Sequence, residues 1–266
     1  MRDDAIEVDR TITGEEAMNS TSKTFVRITA WSLVAGGFLA YATSGILVSA
    51  TGWDPQTALQ GTTMLSLPNE SRDLFRLAML ADIFGFYLPI LVFCGYFWRY
   101  HRIDAGAFGD AAILAMMFYV TVGIAGASIQ QAVIYPLSQL YRAGDDTVRA
   151  AAATAWTTLA HAAQGGLWWC EGPAVFLWSM VVGNWLRKTG WKGALLLQIS
   201  GLFCGIFFLS AFFSSLDVLA KASEMIAASL LPLWMVVFGW QLQRRSKPGA
   251  DANASGNFPG AAQRRA

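Results

Sequence analysis

Charge is scarce in this sequence. Of 266 residues only 14% are Asp, Glu, Lys or Arg, while 55% are hydrophobic. Water-soluble domains carry about a quarter charged residues. The few charges bunch at the two ends and in short connectors, so the long apolar stretches have no face to offer to water. A net charge of +1 says nothing about nucleic acid, and no basic patch interleaved with aromatics suggests it, so no nucleic-acid partner is expected. The three cysteines, Cys94, Cys170 and Cys204, are far apart, form no CxxC and fall inside apolar runs, which reads as inert small side chains. GxxxxGK[ST], HExxH and GxSxG are all missing, as is any long soluble stretch. No residue is therefore assigned as catalytic or as a metal ligand, and no enzyme reaction is named. Only two histidines are present, His101 and His161. A membrane haem needs paired axial ligands at matched depth, and these two belong to opposite membrane faces, which argues against haem and leaves any cofactor unknown.

What is there is a series of apolar runs of roughly 20 residues, each long enough to cross about 30 Å of hydrocarbon. They place helices near 27–50, 74–98, 108–135, 153–186, 194–214 and 225–242. The expected fold is all-α: a polytopic membrane protein with six transmembrane helices in an antiparallel bundle over residues 26–243. Residues 1–25 and 244–266 read as cytoplasmic disordered tails. Ala40-Tyr41-Ala42 resembles a signal-peptidase site, but the apolar run continues to Ala50 and an acidic stretch precedes it, so the first helix reads as uncleaved. The connector 51–73 is a loop punctuated by Gly52, Pro55, Gly61 and Pro68, with room for one helical turn around Gln56–Leu59. The other connectors are short, which makes consecutive helices antiparallel neighbours.

Basic residues near the helix ends set the orientation. Lys23, Arg27, Arg99, Arg102, Arg187, Lys188, Lys192, Arg244, Arg245 and Lys247 gather on one side. Arg72, Arg76, Arg142, Arg149 and Lys221 gather on the other, with most connector acids beside them. The richer set marks the cytoplasm, so both termini are expected inside. Asn69-Glu-Ser71 would be a glycosylation sequon only in a eukaryotic secretory pathway. Three helices also share an ending of proline, glycine, aromatic and basic residue: Pro89…Gly95…Trp98-Arg99, Pro173…Gly183…Trp185…Arg187 and Pro232…Gly239-Trp240…Arg244. This pattern fits three repeated hairpins, or simply the inner interface of any inward-running helix.

Ionisable groups inside lipid are costly, so each is a candidate site. Asp82 lies 17 residues before Arg99, and Glu171 lies 16 before Arg187. Both are therefore about 25 Å from the inner boundary. Gln130 and Gln131 reach the same level. The fourth segment, from His161 through Gln164, Gly165 and Gly166 to Glu171, Gly172 and Pro173, combines a carboxylate with helix weakeners. Gln164, Trp168 and Glu171 share one helical face. The expectation is a broken helix between Gly165 and Pro173 lining an outward-facing polar pocket built by Asp82, Gln131, His161, Gln164 and Glu171. Asp82 could pair with His161, share a proton with Glu171 or accept from Gln131. His101, in a basic inner loop, reads as solvated.

Leu74-Phe75-Arg76-Leu77…Asp82, following a polar loop and a single first helix, resembles a bacterial six-helix integral membrane family, domain-of-unknown-function family 4386. That resemblance implies six helices in a bacterial inner membrane and no established activity. The residues themselves point to binding or transport of a small solute, cation or proton. The alternatives are a non-catalytic membrane subunit packing against a partner or a second copy through a small-residue seam such as Gly36-Gly37 and Gly45, and an intramembrane enzyme with an unannounced cofactor. The lipid bilayer is the one partner all three readings share.

Overall fold

The computed structural model describes the backbone of residues 3–52 and 54–245, and the side chains of residues 22–52, 54 and 56–245. Among these residues all regular structure is helical. α1 runs Asp3–Ala50, and the connector after it holds a 3-10 turn, Pro55–Leu59, and a short α2, Gly61–Ser66. α3, Asn69–Asp82, passes through a π turn, Ile83–Tyr87, into α4, Leu88–Tyr100. α5 spans Phe108–Ala143. α6, Asp146–Ala162, enters a second π turn, Ala163–Trp168, and α7 resumes at Glu171–Lys188. α8 is Ala194–Ser210 and α9 is Asp217–Arg245. The tail expected beyond residue 245 falls outside the described residues.

Several helices extend past their apolar runs. α1 starts at Asp3 instead of residue 27, so the segment expected as a tail is helical backbone continuous with the first crossing. α6 starts where Asp145 caps it, its carboxylate accepting from the Val148 N–H at 2.9 Å. α9 gains two polar turns, in which Asp217 pairs with Lys221 at 2.8 Å. Four helical stretches are long and apolar enough to cross a membrane: Ser22–Ala50, Asn69–Tyr100, Phe108–Ala143 and Ser214–Arg245. Ala194–Ser210 is apolar but shorter. These helices mark the chain as an integral membrane protein. Its exposed side chains agree, since Phe38, Leu80, Leu114, Leu195 and Met225 are all more than half exposed, the reverse of what water favours.

The helices close a ring. α1 packs on α9, α9 on α8, α8 on α7, α7 on α5, α5 on α3 and α4, and these return to α1. Two apolar cores fill the interior. The larger, towards the Arg99 end, is aromatic, with Phe93 edge-on to Trp234 at 5.3 Å and Phe97 edge-on to Trp185 at 5.6 Å. Of the aromatics in the three proline–glycine–aromatic endings, Trp185 lies in this core, whereas Trp98 and Trp240 face outward. The smaller core joins Met64, Leu65 and Phe75 to Trp156, whose indole N–H donates to the Ala58 carbonyl at 2.9 Å and ties the connector between α1 and α3 to α6. Ile83, at the head of the first π turn, packs against both cores. The candidate site lies at this junction.

Candidate functional site

Each π turn lies just ahead of a proline. Pro89 has no N–H for the Gly85 carbonyl, and the chain widens beforehand, with the Leu88 N–H reaching back five residues to Ile83. Pro173 likewise leaves the Trp169 carbonyl without its usual donor. The Gly172 N–H takes that carbonyl at 3.2 Å, and α-helix resumes at Glu171. Gly165 and Gly166 have open space where a side chain would start, whereas Gly172 is pressed against the Phe208 side chain and the Cys204 carbonyl of α8.

The winding matters for what faces what. Residues five apart, such as Asp82 and Tyr87, stack one above the other in a π turn but diverge in an α-helix of about 3.6 residues per turn. The Tyr87 hydroxyl donates to Glu171 Oε1 at 3.0 Å, joining the two interrupted helices directly. Asp82 lies beside the same hydroxyl, and charge on Asp82 acts on Glu171. Its Oδ2 is buried without a hydrogen-bond partner. No Lys, Arg or His forms an ion pair with either carboxyl among the described residues.

α5 supplies the floor. Its buried face carries Tyr119, Gly123, Gly126 and Gln130, three to four residues apart, with Ala127 beside Gly126. The Tyr87 ring lies where a Gly123 side chain would be, and the Trp168 indole covers Gly126 while donating to the Gly123 carbonyl at 3.3 Å. Tyr119 meets the Tyr87 ring at 5.1 Å. One turn further out, Gln164 Nε2 donates to Gln130 Oε1 at 3.2 Å, leaving Gln130 Nε2 buried without a partner. Gln164, Trp168 and Glu171 thus do point the same way, towards α4 and α5.

The structure therefore places Asp82 near Glu171, pairs Gln164 with Gln130 one turn away, and leaves out His161 and Gln131. His161 is exposed on the outer side of α6. Gln131 lies about 100° around α5 from Gln130 and lines a lateral cleft with Arg76 and Ser128. Of the expected pairings for Asp82, only the proximity to Glu171 is present. The polar groups are enclosed by aromatic rings, and the two cavities described at the lateral clefts are not lined by the Gly165–Pro173 break. Sequence reasoning missed Tyr87 and Tyr119, and of the two glutamines at this level it put Gln131 in the pocket instead of Gln130. The alignment of Gln130 with Tyr119, Gly123 and Gly126 at helical spacing was the signal that separates it from Gln131. Glu224, early in α9, was also missed, and it lies in the neighbourhood of Glu171 and Cys204.

At the other end, His101 is not solvated. Its Nε2 is 3.0 Å from the Tyr96 hydroxyl and its ring lies 4.1 Å from Trp185. Burial pushes it below the ordinary imidazole value, and Asp104, 3.6 Å from Nδ1, partly opposes this. Among the described residues no three His, Cys, Asp or Glu side chains are grouped to hold a metal. In comparison with known proteins, no family model, curated protein or solved structure matches the chain.

Proposed function

We propose that this chain is a six-span protein of a bacterial inner membrane, with both termini in the cytoplasm, that takes up a proton at the Asp82–Glu171 pair while handling a small solute. One observation carries the reading. The Tyr87 hydroxyl, at the end of one π turn, donates to Glu171 just beyond the other and lies beside Asp82, and among the described residues neither carboxyl forms an ion pair with a basic side chain. Ionised groups in lipid need a counter-charge, and a shared proton supplies it most compactly. π turns in helices concentrate at functional sites, and an interrupted helix with a carboxylate at the break can shift with little loss of backbone bonding. The six-span count takes α6–α7 as one interrupted crossing and α8 as a short one, which suits the closed ring. The orientation is supported by aromatic and basic side chains at one end, where Arg245 stacks on Trp191 at 3.8 Å and Arg244 on Trp240 at 5.3 Å.

The seam that would have favoured a subunit is largely used within the chain. Gly36 is filled by Pro89, and Gly37 by Val236 and the Pro232 carbonyl, while Gly45 has nothing beside it. The test is infrared difference spectroscopy of the reconstituted protein across pH. A carboxylic-acid carbonyl band should titrate in the wild type, disappear in Glu171→Gln and shift in Tyr87→Phe. An identical titrating spectrum in Glu171→Gln would remove this pair from the function.

A further inference from the structure

A lateral cleft of about 400 Å³ opens between α3 and α5, within the range of about 300–1,000 Å³ that ligand pockets occupy. Its walls are divided by chemistry. Leu77, Leu80 and Ile83 line one stretch, and Arg76, Ser128 and Gln131 supply the polar groups. Leu77 and Leu80 are about half exposed, so the apolar part opens sideways into lipid. Arg76 lies 23 residues before Arg99, roughly 34 Å along the helix, which puts its guanidinium at the headgroup level of the opposite membrane surface.

The nearby arginines differ in how they are used. Arg72 donates to the Leu65 carbonyl and to Asn69, and Arg142 donates to the Leu67 carbonyl at 2.8 Å and to Asn69 at 3.3 Å, so both fasten the connector. Arg76 has the Tyr135 ring 5.5 Å from its guanidinium carbon, and its Nε is buried with no acceptor among the described residues. With Nε enclosed and a ring under one face, the Nη N–H groups, which make no hydrogen bond among the described residues, are the edge that can meet the paired oxygens of a phosphate.

We infer that this cleft holds an anionic phospholipid of the surrounding bilayer, its phosphate on Arg76 and its first chain segment along Leu77, Leu80 and Ile83. Ser128 and Gln131 face the glycerol region. The charge of the guanidinium selects for a net-negative headgroup over a zwitterionic one, and the sideways opening admits lipid without any route from water. This site is independent of the Asp82–Glu171 reading, so Glu171→Gln should leave lipid retention unchanged.

The experiment uses the full chain in phosphatidylcholine nanodiscs with and without phosphatidylglycerol, read by native mass spectrometry of retained lipid and by Tm. Phosphatidylglycerol should stay bound in preference to phosphatidylcholine and raise Tm. Arg76→Gln should weaken that retention about tenfold, as loss of one charge-assisted contact would. Leu80→Trp, which fills the cleft and keeps the arginine, should also lose it, and this variant tests the site even if Arg76→Gln folds poorly. The double variant Arg187→Gln/Lys188→Gln, at the opposite end, should retain the lipid. Equal retention of both lipids, loss only in the Arg187/Lys188 variant, or the same Tm rise from inorganic phosphate alone would each overturn the proposal.

Discussion

The Tyr87 hydroxyl reaches Glu171 from a ring held over Gly123 and against Tyr119, so its position is fixed by packing as much as by the bond it makes. Among the described residues neither carboxyl forms an ion pair with a basic side chain, and the phenol donates to Glu171. His101 has the opposite situation at the other end, with a carboxylate nearby and an aromatic shell that disfavours its charge. Its folded-state value lies below the ordinary 6.5. The fold therefore has this ring's full contribution above about pH 6.5, and loses it as pH falls through the lowered value. Tm of the purified protein should hold steady from pH 8 to 7 and drop on acidification, and His101→Gln should flatten that drop. A wild-type Tm that rises towards pH 5.5 would reverse the assignment.

The two π turns show how an element is shaped by what it must pack against. Proline alone does not require the wider winding, because Pro136 and Pro232 lie inside helices that remain α. The π turns occur where Tyr87 and Trp168 dock onto the glycine face of α5. Gly123→Ala puts a methyl group inside the Tyr87 ring, so it should cost about 1–3 kcal/mol and dislodge the contact to Glu171. Gly166→Ala meets open space and should be neutral or stabilise by about 0.5–1 kcal/mol. Thermal unfolding of the two variants side by side measures the difference. Equal effects would mean that Gly123 matters for backbone freedom alone.

For the whole molecule, the helices from α1 to α9 close into a ring. The orientation is the property with the simplest check. A reporter fused after Arg244 should be active on the cytoplasmic side, and one inserted within 55–68 on the outer side. A periplasmic C-terminal reporter would invert the arrangement, and with it the surface to which the Arg76 cleft belongs.

Composition and hydropathy determined the helices, because a backbone in lipid must satisfy its own hydrogen bonds and has little choice but helix. The runs at 108–135 and 194–214 start where the helices start, at Phe108 and Ala194. Ends were less legible, since Asp145 and Asp217 extend helices through polar turns that carry no apolar signal. The interruption near Pro173 was also readable, because proline and paired glycines act locally. Which side chains meet was not. Gln130 and Gln131 are equivalent by composition, and only the packing of α5 against α6 and α7 turns one inward and the other to the lateral cleft. Tyr87 joins Glu171 only because a π turn rotates it towards Asp82, a change of winding set by the close approach of a neighbouring helix. Depth along each helix follows from counting residues, but rotation about its axis is decided by what the other helices leave room for.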